Sequence, residues 1–106
     1  MAVKRRKFWG WGMEDEILPI EEQRWIEKTW AERLQVQGFE VTPPPCPEEI
    51  VLRKPRISIP SKLSAFCTHD HYERLVHSYG KSLADSARIF AREYPNPPDA
   101  VATPRN

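Results

Sequence analysis

Glycine is scarce in this sequence: four residues in 106, against eleven prolines. So low a glycine content excludes a collagenous or a Gly-rich flexible chain, and the proline surplus argues against a large regular sheet. The four glycines, Gly10, Gly12, Gly38 and Gly80, cannot be written into a G-x-x-x-x-G-K or G-x-G-x-x-G phosphate cradle. Cysteine is scarce too. Cys46 and Cys67 are too few for a disulfide framework and read as reduced thiols of a cytoplasmic protein. No run approaches the ~18 apolar residues of a membrane span. The basic residues Lys4-Arg5-Arg6-Lys7 are not followed by the apolar stretch of a secretory signal. Charge of one sign is missing as well, with a formal net charge of +1, so electrostatics name no partner. Val, Ile, Leu and Phe together fill only about a fifth of the chain, close to the roughly 20% that marks disorder.

What is present is proline in two clusters and tryptophan in two pairs. Pro43, Pro44, Pro45, Pro47, Pro55 and Pro60 lie in the middle, and Pro95, Pro97, Pro98 and Pro104 near the end. Each removes a backbone donor and fixes one dihedral, so both regions are expected to be extended or turn-rich. One short helical turn is expected where Pro47 occupies a first helical position.

Three segments carry helical signals. The first runs from about Pro19 to Leu34, with Ile26, Trp30 and Leu34 as a stripe, Trp25 roughly opposite, and Gly38 as a possible stop. The second starts at Asp70, which with Glu73 forms an N-cap signal. Tyr72, Leu75, Val76 and Tyr79 follow on one face, and Gly80 is placed to end it. The third is capped by Ser82 and stopped by Pro95. Its expected apolar face is Leu83, Ala87, Phe90, Ala91 and Tyr94. A short strand is expected to begin within Ala100–Thr103.

Several clusters invite chemistry. Lys4–Lys7 beside Phe8, Trp9 and Trp11 pairs cations with rings, as single-stranded nucleic-acid sites do. The near-neutral balance and the lack of a second basic stripe argue against that use. Cys67, His69 and His71 are zinc-ligand types, but their spacing does not bring the imidazoles together. A Cys–His nucleophilic pair has no oxyanion hole or third orienting group in view. His77 suits a structural hydrogen bond or a pairing with Glu73 one turn back. From the residues alone no catalytic, cofactor-binding or metal site emerges.

The order of segments does resemble a family. Lys7-Phe8-Trp9-Gly10-Trp11-Gly12 is similar to the Lys-Trp-x-Gly-Trp-Gly opening of alkylglycerone-phosphate synthases and their bacterial relatives, with Phe8 in place of the first tryptophan. Arg74-Leu75-Val76-His77-Ser78-Tyr79-Gly80-Lys81-Ser82-Leu83-Ala84-Asp85 resembles the family's Arg-Leu-x-His-x-x-Gly-x-Ser-Leu-x-Asp stretch, and Arg88 fits the helix that follows. Pro98-Asp99-Ala100-Val101-Ala102-Thr103-Pro104 is similar to the strand that opens the family's flavin-binding domain. The resemblance implies an FAD-linked oxidase or alkyl transferase with the vanillyl-alcohol-oxidase type of fold. Its implied chemistry is exchange of an acyl group for a fatty alcohol, or oxidation of a small hydroxy acid. It also implies that these residues precede the flavin-binding domain, so that no catalytic or cofactor residue is carried over.

The expected fold is therefore mainly α: an irregular Trp-rich N-terminus, three helices with a Pro-rich connector, and the start of a strand, together an incomplete piece of an α+β flavoprotein. The expected divisions are 1–42 for the Trp-rich segment and first helix, 43–66 for the connector, 67–98 for the helix pair, and 99–106 for the opening strand. Trp9, Trp11, Trp25 and Trp30 are the candidate docking anchors. The expected partner is the flavin-binding domain of the same chain, with a possible homodimer of the parent protein. FAD belongs to that parent, and none is expected on these residues. The other reading is a small stand-alone helical interaction module with exposed tryptophans, with nucleic acid among its candidate partners.

Overall fold

A computed structural model of the chain describes residues 4–37 and 42–104. In order it contains α1 (Ile20–Leu34), 3-10 turns at Pro47–Glu49 and Ser61–Leu63, β1 (Cys67–Thr68), α2 (His71–Val76), α3 (Leu83–Phe90) and β2 (Val101–Ala102). β1 and β2 pair antiparallel, with Cys67 opposite Ala102 and Thr68 opposite Val101. The helices have 15, 6 and 8 residues, so most of the described chain is irregular rather than α. The prolines account for that, since each interrupts a backbone ladder.

α1 follows the sequence closely. Glu21 and Glu22 stand in its first turn and Arg33 in its last, each complementing the helix dipole. Its stop differs from the glycine expected. Gln35 takes the left-handed conformation at φ 53°, and Val36 N–H donates to the Ala31 carbonyl at 3.1 Å, ending the helix before Gly38, which lies outside the described residues.

α2 begins as its cap requires, with the Asp70 carboxylate accepting from Glu73 N–H at 3.1 Å. It ends at Val76, four residues short of Gly80. Ser78 N–H turns back to the Leu75 carbonyl at 3.1 Å, and Tyr79 is drawn off the helix to pack edge-on to Tyr94, ring centroids 5.2 Å apart.

In α3 the Ser82 hydroxyl accepts from Asp85 N–H at 3.1 Å. The helix stops at Phe90 because Arg92 adopts φ 60° and Glu93 N–H closes onto the Arg88 carbonyl at 3.0 Å. Its buried face is the expected one only in part: Phe90 packs against Trp9, and Tyr94 on the core, but the rest of that face is exposed. Leu83 is 88% exposed and Ile89 is 1% exposed. Ala87 and Ala91 also face solvent.

The core explains this choice of face. It consists of Phe8, Ile50, Tyr72, Leu75 and Ile89, with Trp9, Leu52, Val76, Tyr79 and Tyr94 packed around it. α2 and α3 each supply buried side chains, but Phe8 comes from the N-terminal arm and Ile50 from the Pro-rich connector. Those two long-range additions complete the cluster that holds Ile89. α1 contributes no buried residue. The radius of gyration is accordingly 17.4 Å, with extents of 57 × 33 × 24 Å, against about 13 Å for a compact domain of this length.

Candidate docking surface

The N-terminal arm is a short hairpin. Arg6 and Met13 form an antiparallel bridge, Lys7 N–H donates to the Gly12 carbonyl at 3.0 Å, and Glu14 N–H to that of Arg5 at 2.7 Å. Gly12 sits at φ 89°, a conformation open to glycine and strained for other residues. This turn sends neighbouring rings in different directions. Phe8 is 3% exposed and meets Tyr72 edge-on at 6.0 Å. Trp9 is half-buried, edge-on to Phe90 at 5.9 Å, with the Lys7 ammonium 4.8 Å from its ring centre. Trp11, by contrast, is 76% exposed.

The other two tryptophans lie on α1, where Trp25 is 67% and Trp30 48% exposed. Ile17, Leu18, Ile20, Leu34 and Val36 are exposed beside them. The tryptophans therefore divide. Trp9 is packed within the chain's own fold, whereas Trp11, Trp25 and Trp30 present rings that nothing in the described residues covers.

The basic run beside the hairpin is largely engaged internally. Lys4 pairs with Asp15 at 3.0 Å. Arg5 grips both carboxylate oxygens of Glu14, at 2.9 and 2.8 Å, while its guanidinium lies 3.9 Å from the Tyr72 ring centre. The Asp15 pairing holds the Lys4 ammonium pKa above its ordinary value, and Lys4 holds the Asp15 carboxyl below its own. Tyr72 hydroxyl donates to the Arg6 carbonyl, and Lys81 ammonium to that of Lys7 at 3.2 Å. The cations thus hold the hairpin on α2 and its neighbours.

The histidines and cysteines do not converge. His71 Nε2 donates to the Pro47 carbonyl at 2.9 Å. His77 Nδ1 donates to that of Glu73 at 2.8 Å and lies 3.8 Å from the Glu73 carboxylate, so both roles read for His77 are realised. His69 is exposed, and Cys46 and Cys67 are free thiols. No group of three metal-ligating side chains occurs among the described residues.

Two motif residues acquire roles that their sequence context did not reveal. Arg74, 5% exposed, donates through Nε to the Pro98 carbonyl at 2.8 Å and through Nη2 to that of Arg53. It joins α2 to the connector and to the approach to β2. Asp99 accepts from Arg56 Nη2 at 2.9 Å and from Arg56 backbone N–H at 3.0 Å. The Arg56 hydrogen bonds hold the Asp99 carboxyl down at about 2. Arg92 adds a third clasp, donating to Glu49 at 3.2 Å and to the Pro43 carbonyl at 3.4 Å. All three are contacts between segments far apart in sequence, which local pattern does not report.

The described residues do not fit a flavin dinucleotide. Their glycines form no pyrophosphate cradle, and the cavities flanking the hairpin measure about 200 and 240 Å³, below the roughly 300–1,000 Å³ of small-molecule sites.

Taken together, the geometry defines a small, extended, mostly irregular segment with a modest core and three exposed tryptophans. Over 89 residues, 84% of this chain, it is 29% identical to alkyldihydroxyacetonephosphate synthase of Dictyostelium discoideum. The aligned part spans 14% of that protein's length. No family model matches the chain, and no solved structure does. No helix among the described residues is long and apolar enough to cross a membrane.

Proposed function

We propose that these residues are a docking segment that precedes the flavin-binding domain of an FAD-dependent enzyme resembling alkylglycerone-phosphate synthase, and that they are inactive alone. The observation that carries this reading is the exposure of Trp11, Trp25 and Trp30, with α1 burying nothing against its own chain. Burial of an aromatic ring of ~150–250 Å² at ~25 cal/mol per Å² gives several kcal/mol, so three such rings would anchor the segment firmly. The similarity to a protein of which the aligned part is 14% supports a place within a longer polypeptide. The parent's chemistry would be ether-lipid synthesis or hydroxy-acid oxidation, in the cytoplasm, with FAD held outside these residues.

The test is the intact mass of the natural protein from its source cells, read with its visible absorbance. A mass well above 12.4 kDa with a bound flavin spectrum is expected. A natural product near that mass, without flavin and without a bound flavoprotein, would overturn the proposal. Titration of the isolated chain with FAD is expected to show no stoichiometric binding. The internal pairing of Lys4 and Arg5 disfavours nucleic acid as an alternative partner, because both cations already have carboxylates.

A further inference from the structure

The near-neutral total charge conceals a segregation. Residues 50–69 hold Arg53, Lys54, Arg56 and Lys62 and no carboxylate, so all 15 Asp and Glu side chains lie outside that stretch. Tertiary contacts then gather part of this charge at one place. Arg53 Nη2 donates to the Pro97 carbonyl at 3.3 Å, Arg74 Nε to the Pro98 carbonyl at 2.8 Å, and Arg56 Nη2 to the Asp99 carboxylate at 2.9 Å. Three guanidinium groups thus meet three consecutive residues, whose Cα atoms are spaced by about 3.8 Å.

Asp99 is the one carboxylate paired with any of them among the described residues. The Arg56 hydrogen bonds hold its carboxyl down, and the charges of Arg56 and Arg53 add to the effect. Three cations against one carboxylate leave an excess of two positive charges. Arg74 is 5% exposed and its partners are the Pro98 and Arg53 carbonyls. A buried cation without a full counter-charge is unfavourable. Water brings dipoles to such a cluster but no charge.

Arg53 and Arg56 give an anion access, because both are exposed, the Arg56 side chain by 65%. Arg53 makes one side-chain hydrogen bond among the described residues, out of five N–H donors on a guanidinium. Planar guanidinium forks match phosphate oxygens in paired, charge-assisted bonds. A phosphate monoester carries about −1.5 to −2 at neutral pH, which balances the excess, whereas a carboxylate balances half of it.

We infer that Arg53, Arg56 and Arg74 form a binding site for a phosphate monoester dianion, contacted by the Arg53 and Arg56 guanidinium groups and favoured by the buried charge of Arg74. The site does not depend on the flavoenzyme reading, and it shares no residue with Trp11, Trp25 and Trp30.

The experiment is an NMR titration of the full 106-residue chain at constant ionic strength, following the Arg53 and Arg56 Nε–H signals. The probes are methyl phosphate and methyl sulfate, which share a shape and differ by one charge. Saturable shifts with methyl phosphate are expected, with methyl sulfate at least about tenfold weaker. Arg53→Gln keeps the backbone carbonyl that Arg74 uses, and should weaken methyl phosphate at least about tenfold. Lys54→Gln removes a neighbouring charge with no partner of its own among the described residues, and should weaken it less than about twofold. N-acetyl-phosphoserine N-methylamide binding more tightly than methyl phosphate assigns the phosphate to a protein chain, and the reverse order to a free ester. Shifts linear in probe concentration, equal affinity for the two methyl esters, or equal losses in Arg53→Gln and Lys54→Gln would overturn the inference.

Discussion

At the scale of single residues, Arg74, Gly12 and Asp99 hold segments that have no regular structure of their own. Arg74 is buried with two carbonyl partners and has no carboxylate among the described ion pairs. Replacing it by methionine leaves the Pro98 and Arg53 carbonyls unpaired, and a loss of about 2–4 kcal/mol is expected in urea denaturation. Gly12 is constrained by its φ of 89°. An added Cβ would lie 2.4 Å from the Glu16 carboxylate, a flexible group that can move, so backbone strain dominates. Gly12→Ala is expected to destabilise by about 1 kcal/mol and to loosen the packing of Phe8 in the near-ultraviolet spectrum. Asp99 carries the pH dependence. Its carboxyl titrates at about 2 when folded, against 3.8 ordinarily. Its stabilisation is therefore complete above about pH 4 and disappears as the pH falls through 2. Urea midpoints measured from pH 6 to pH 2 should fall more steeply for the native chain than for Asp99→Asn.

At the scale of elements, α2 and α3 start where capping chemistry starts them and stop where tertiary contacts stop them. Ser82→Ala and Asp70→Ala each remove an acceptor for one backbone N–H at a helix start. A loss of about 1 kcal/mol apiece is expected from thermal or urea unfolding. α1 behaves differently. Trp25→Ser and Trp30→Ser should change the stability of the isolated chain by less than about 0.5 kcal/mol, because neither ring is buried. The same pair should weaken association with a flavin-binding partner strongly, which separates a docking role from a core role.

At the scale of the whole molecule, an element without buried residues and a core of a few side chains give a shape broader than a compact domain. Small-angle scattering of the isolated chain should return a radius nearer the 17.4 Å of the structure than the ~13 Å of a globule. The sequence shows why this is legible in part. Apolar content barely above the disorder range and eleven prolines leave little to bury and much that cannot join a ladder. It does not show that Phe8, one ring among three in the arm, is the one that enters the core.

The sequence by itself determined the start of every α-helix, the extent of α1 and the 3-10 turn at Pro47. Each depends on neighbours within a few positions, through caps, dihedral limits and periodicity. Only the tertiary structure decided that Leu83 faces water while Ile89 is buried, and that Trp9 packs inward while Trp11 does not. It likewise decided that Arg74, Asp99 and Arg92 close three long loops. Those outcomes depend on which distant segment arrives to cover a face. Their free energy lies in contacts between residues tens of positions apart, where local pattern carries no signal.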